Sequence, residues 1–228
     1  MKSIQIIPTI TAETPEDFAR EMDKLAFAPR IHIDISDGIF APSRTINLDQ
    51  IYFNREIFAK NHEKETREID LHLMIELPQK WLHEIVSLRP DRVILHAENF
   101  RESALDFVKI REHLAKFHIE TCVALLPESS PETFREILEN ADGMLIFGGK
   151  LGFQGGKADL SQLEKIKKIR EINPEISIAW DGGANAENIR AIIDAGVREI
   201  NVGAAISRSI NPEKTWMELN KISHKISR

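Results

Sequence analysis

The run Glu120-Thr121-Cys122-Val123-Ala124-Leu125-Leu126 is short, apolar and rich in residues that suit a strand. Ser130-Pro131-Glu132 follows, offering a capping hydroxyl, a proline for the first helical turn and an early acidic residue. Gly143-Met144-Leu145-Ile146-Phe147 then begins a second short apolar run. Strand, helix and strand in that order, with a helix long enough to cross over, make one βα unit of a parallel sheet. Working outward, the same alternation gives further strands over Ile4 to Pro8, Arg30 to Ile35, Ile69 to Met74, Arg92 to His96, Ile176 to Trp180 and Glu199 to Val202. Each is followed by a helix candidate, the one after the second strand being short and preceded by a long loop. Thr14-Pro15-Glu16-Asp17 repeats the helix-start signal after the first strand. Eight pairs with no linker or shift of composition predict an α/β fold, a single (β/α)8 TIM barrel spanning residues 1–228 as one domain, over an open doubly wound sheet.

The 228-residue length suits such a barrel and leaves little room for a second domain. Apolar residues at 42% and charged residues at 29% match an ordinary folded chain with a sizeable core. The formal charge is -6, and the only dense basic run, Lys165, Lys167, Lys168 and Arg170, reads as a solvated helix face, so nucleic acid is not an expected partner. No apolar stretch is long enough for a membrane span, and Met1 to Pro8 does not read as a cleavable signal. The single cysteine, Cys122, reads as a core residue and favours a reducing compartment, so a cytoplasmic location is expected.

Active sites of barrels gather at the C-terminal ends of the strands. The second strand ends in His32-Ile33-Asp34, whose polar residues share one face because side chains two apart on a strand point the same way. The third places His72 and Met74 together, and the seventh leads into Asp181-Gly182-Gly183. Two imidazoles and two carboxylates at one rim suit a divalent metal. A lone histidine on a strand is more often a hydrogen-bonded core residue, and His96 fits that description. Glycines supply the other half: Gly148-Gly149-Lys150-Leu151-Gly152-Phe153-Gln154-Gly155-Gly156, Gly182-Gly183 and Gly203-Ala204 occupy three neighbouring loops where backbone N–H groups can meet a phosphate. A phosphate, a metal and two carboxylates suggest proton removal beside a carbonyl, with one carboxylate taking the proton and the other returning one to the opposite face.

Over nearly its full length the chain resembles the ribulose-phosphate 3-epimerase family. The resemblance is carried by Ile7-Pro8-Thr9-Ile10, by His32 to Pro42, by Asp70-Leu71-His72-Leu73-Met74, by Gly152 to Gly156, by Asp181-Gly182-Gly183 and by Val202-Gly203-Ala204-Ala205. It implies a ribulose-phosphate-binding barrel, one divalent metal held by His32, Asp34, His72 and Asp181, and catalysis by Asp34 and Asp181. It also implies that Thr9, His72, Gly152, Phe153, Gly155, Gly182, Gly183, Gly203 and Ala204 contact a phosphorylated sugar, most simply D-ribulose 5-phosphate turning into D-xylulose 5-phosphate. Thr9 keeps the hydroxyl of the family's usual serine. The chain departs where the family usually carries methionine, at Ser36 and near Phe147. It also departs at Ile39, where a histidine is common, and in the glycine loop, where the family reads Glu-Pro-Gly-Phe-Gly-Gly-Gln. These changes leave the metal set intact.

Three alternatives stay open: the same chemistry on another ketose phosphate such as a hexulose 6-phosphate, a lyase or synthase on the same barrel, and a sugar-phosphate-binding relative without turnover. No lysine stands beside Asp34, His72 or Asp181, which argues against the second. A His2Asp2 set accepts zinc, iron, manganese or cobalt. Glu98, two residues past His96, is a candidate support behind the metal site. The resemblance also implies a homo-oligomer.

Overall fold

In the computed structural model, which describes residues 4–53 and 67–226, eight parallel strands close into a barrel in chain order. Residues 1–3, 54–66 and 227–228 of the expected domain lie outside the described residues. The strands are β1 (Gln5–Ile10), β2 (Arg30–Ser36), β3 (Glu68–Met74), β4 (Arg92–His96), β5 (Glu120–Leu125), β6 (Gly143–Phe147), β7 (Ser177–Asp181) and β8 (Glu199–Val202). β1 runs two residues beyond the expected end, because Thr9 and Ile10 pair with His32 and Ile33 of β2. That extension carries Thr9 to the strand's C-terminal end.

Alternation sorts the side chains into two cores. Ile31, Ile33, Ile35, Ile69, Leu71 and Leu73 face outward into the large apolar layer between strands and helices. Ile94, Cys122, Ala124, Leu145, Phe147 and Ala179 form a smaller apolar cluster, which alternation places inside the barrel. Below them, at the strands' N-terminal ends, the interior is ionic. Arg30 binds Asp70 through Nε at 3.0 and 3.2 Å, and Arg92 bridges Glu120 and Glu199. Pairing makes these charges tolerable in the interior and fixes the register of β2, β3, β4, β5 and β8 at one level.

The helix starts agree in part. Thr14 Oγ1 accepts from Asp17 N–H at 3.1 Å and caps α1 (Pro15–Lys24), as expected. Ser130 makes no such cap: its hydroxyl donates to the Glu132 carboxylate, and the segment begins with a 3₁₀ turn, Pro131–Phe134, before the helix Arg135–Asn140. The short helix expected after β2 is α2 (Leu48–Phe53). The basic run is only partly a solvated face. Lys165 turns inward and donates to the carbonyls of Leu126 and Pro127 at 2.7 and 2.9 Å, while Lys167 and Lys168 are exposed. These two carbonyls in the loop after β5 take the place of water around that ammonium. Among the described residues, no helix is long and apolar enough to cross a membrane.

Candidate active site

β2, β3 and β7 bring His32, Asp34, His72 and Asp181 to one point at the C-terminal mouth of the barrel, one ligand atom from each lying within 4.8 Å of the others. Asp34 pairs with His72 across the β2–β3 register, so their meeting follows from strand pairing alone. Asp34 Oδ1 lies 3.2 Å from His32 Nε2 and 3.0 Å from His72 Nδ1. Asp181 Oδ2 lies 3.9 and 3.7 Å from the same two nitrogens. A tetrahedral centre with ligand distances of about 2.0–2.2 Å needs donor atoms roughly 3.3–3.6 Å apart, and these four separations bracket that value. His32 Nε2 is fully buried and has no hydrogen-bond partner among the described residues, its direction missing the nearby carboxylate oxygen. The donor set therefore fits a divalent cation in both chemistry and spacing.

The second nitrogen of each imidazole is also engaged. His72 Nε2 meets His96 Nε2 at 2.9 Å, and His96 Nδ1 lies 3.5 Å from Glu98 Oε2. Glu98 Oε1 in turn accepts from Leu126 N–H at 3.0 Å. A His72 that offers its Nδ1 lone pair must carry its proton on Nε2, and His96 stands ready to accept it, with its own Nδ1 proton directed toward Glu98. Burial, reinforced by the charge of His72, pushes His96 down to about 4 and so keeps it neutral. Phe40 packs on the His96 ring at 4.8 Å between centroids, and Phe147 lies 6.3 Å from His72.

The two carboxylates have unlike environments. Burial works to raise Asp34, but the imidazoles of His32 and His72 beside it prevail and hold it well below the usual carboxylate range. Burial raises Asp181 to about 6, with the Asp34 charge adding to the effect. His32 loses by burial but gains more from Asp34 and Asp181, and is raised overall.

The pocket above this cluster is walled by Thr9, Thr11, Asp34, Ser43, Phe147 and Asp181, by the run Gly152 to Gly156 and by Gly182, Gly183, Gly203 and Ala204. Every residue expected to touch a sugar phosphate is thus on the wall except His72, which is wholly buried behind Asp34. Gly182 has φ +110°, and a Cβ there would sit 2.2 Å from Gly149 N, so the loops after β6 and β7 touch backbone to backbone. Thr9 Oγ1, 3% exposed overall, has no hydrogen-bond partner among the described residues. Ser36 is not on the wall; its hydroxyl donates to Ser43 O at 2.6 Å and ties β2 to the following loop.

Two residues escaped the sequence reading. Thr11 donates to Asp34 Oδ2 at 2.9 Å, and Asn201 meets His32 Nδ1 at 3.1 Å. Thr11 continues the alternation of Thr9, and Asn201 is a polar residue between Ile200 and Val202, two before Gly203, so a signal existed for both.

A sequence profile of the ribulose-phosphate 3-epimerase family matches residues 5–207. The chain is 30% identical over 180 residues to a ribulose-phosphate 3-epimerase of Aquifex aeolicus, covering 77% of this chain and 76% of that one. It is 25% identical over 211 residues to the enzyme of that name from Helicobacter pylori, covering 90% and 92%. Among solved structures, 3-hexulose-6-phosphate synthase from Salmonella typhimurium superposes with a TM-score of 0.73 at 14% identity, over 98% of this chain and all of that one, a likeness of fold alone. With the barrel, the four convergent donors and the glycine-walled pocket in place, the profile match assigns the chain to the ribulose-phosphate 3-epimerase family, and with it to the epimerases among the isomerases.

Proposed function

We propose that this chain interconverts D-ribulose 5-phosphate and D-xylulose 5-phosphate, one of Asp34 and Asp181 removing the proton at C3 and the other delivering a different proton to the opposite face. The observation that carries this reading is that Asp34 from β2 and Asp181 from β7 enter one pocket from separate strands, backed by two buried histidines. His32, Asp34, His72 and Asp181 would hold one divalent metal, which when bound supplies Lewis-acid polarisation of the substrate carbonyl. Asp34, held in its ionised form by two imidazoles, is suited to take the proton. Asp181, whose burial favours the protonated form, is suited to deliver one to the other face, and the roles exchange in the reverse direction. Thr11 fixes Asp34 Oδ2, the oxygen turned away from the histidines. Thr9 has a free buried hydroxyl to offer a substrate oxygen. The backbone of Gly152, Gly155, Gly182, Gly183, Gly203 and Ala204, together with Phe153, lines the same pocket, where the phosphate would sit.

Proton NMR of ribulose 5-phosphate with the metal-loaded protein tests the reading. Appearance of xylulose 5-phosphate is the expected result, and its absence with metal bound contradicts it. A hexulose 6-phosphate is the second reading, favoured by the altered loop Gly152 to Gly156 on the pocket wall, and it is supported if that sugar alone is epimerised.

A further inference from the structure

Asn201 lies on β8 and His32 on β2, on either side of β1, whose Ile7 and Thr9 pair with them. Both side chains are buried, Asn201 being 2% exposed and His32 not at all. Asn201 Nδ2 stands 3.1 Å from His32 Nδ1, while Asn201 Oδ1 is buried with no hydrogen-bond partner among the described residues.

A neutral imidazole carries one proton. With the amide NH2 donating to Nδ1, that proton must sit on Nε2, the nitrogen that faces Asp34 and Asp181. A metal ligand needs the reverse: a lone pair on Nε2 and the proton on Nδ1. A half-turn of the Asn201 amide exchanges its NH2 and its oxygen, so that the orphaned Oδ1 accepts from Nδ1–H. An aspartate in this place would only accept, and a leucine would do neither. His72 solves the same problem differently, through His96 and Glu98.

We infer that Asn201 is a positioning residue that selects the tautomer of His32, its NH2 facing the ring in the metal-free protein and its carbonyl oxygen facing the ring once a divalent metal is bound. This inference rests on the metal reading proposed above. The exchange moves one proton from Nε2 to Nδ1 of the same ring, with no net gain or loss. Asn201 touches neither substrate nor metal and acts only through His32.

The test uses the full chain labelled with ¹⁵N-histidine, with the His32 signals identified by their loss in His32→Gln, and a cobalt(II) titration followed by visible absorption. His32 should read as the Nε2–H tautomer without metal and as Nδ1–H with zinc. Asn201→Leu should lower cobalt affinity about 10- to 100-fold and alter its absorption band, as expected when the partner of a ligating histidine is lost. Asn201→Asp should bind cobalt at least as tightly as the wild type and hold His32 as Nδ1–H with or without metal. Wild-type affinity in a folded Asn201→Leu, or the same His32 tautomer with and without metal, would overturn the inference while leaving the metal reading standing. A wild-type chain that binds no cobalt would remove both. Should Asn201→Leu not fold, the wild-type tautomers and Asn201→Asp decide the question.

Discussion

Asp34 and Asp181 line one pocket, yet one is pressed toward its ionised form by two imidazoles and the other toward its protonated form by burial. Such a divergence suits an acid and a base that must act in one step. Changing either residue to asparagine keeps the shape but removes proton transfer and a metal donor. We expect turnover to fall by at least about 10²–10⁴-fold in each variant, with weaker metal retention, as read by product NMR and elemental analysis. Metal-free protein offers a second check. Because the folded pKa of Asp181, about 6, exceeds its ordinary 3.8, the folded chain holds this proton more tightly than the unfolded chain. Its contribution to stability is therefore complete below 3.8 and lost as the pH rises through about 6. Urea melts of the metal-free wild type should lose stability relative to Asp181→Asn across that window, and parallel pH profiles would refute the assignment. The convergence of His32, Asp34, His72 and Asp181 was legible in the sequence because His32 and Asp34, and His72 and Met74, share a face near strand ends and Asp181 leads into Gly182-Gly183. Thr11 and Asn201 left a trace in the alternation, but their purpose was not readable, because it depends on which residue of another strand lies within reach.

At the level of the elements, the loops after β6 and β7 are locked by Gly182, whose positive φ and contact with Gly149 leave no space for a side chain. Gly182→Ala should cost about 1–3 kcal/mol from backbone strain alone and raise KM for the sugar phosphate, measurable by thermal melting and steady-state kinetics. A variant with wild-type stability and KM would show that the loop contact is dispensable. Strand alternation was readable because apolar runs bounded by turn residues have few other solutions. Boundaries were less so: β1 extends through Thr9 and Ile10 only because β2 is there to pair with them. Ser130 looked like a helix cap, but Glu132 lies within reach of the same hydroxyl and takes it. Lys165 looked solvated until the loop after β5 presented two carbonyls to it.

Across the whole barrel, chemistry and stability occupy opposite ends. The mouth carries the unlike carboxylates and the glycine loops, and the floor carries the ion pairs around Arg30, Arg92, Asp70 and Glu199. Arginines and acids at strand starts read as ordinary exposed charges in a sequence, and only closure of the barrel turns them inward. Arg92→Leu would leave the buried Glu199 with Arg30 as its remaining cation and should cost on the order of 3 kcal/mol, while turnover per folded molecule stays at the wild-type level. A loss of turnover without a loss of stability would mean that floor and mouth are coupled. The central claim, that two carboxylates work on opposite faces of C3, is tested most directly by one isotopic measurement. Ribulose 5-phosphate bearing ordinary hydrogen at C3 is converted by the metal-loaded chain in D₂O, and the first xylulose 5-phosphate formed is analysed at C3. Deuterium at C3 in nearly all of the product is predicted, since the proton taken by Asp34 and the one delivered by Asp181 are different. Product that retains the original hydrogen would contradict the account and point to a single residue acting on both faces.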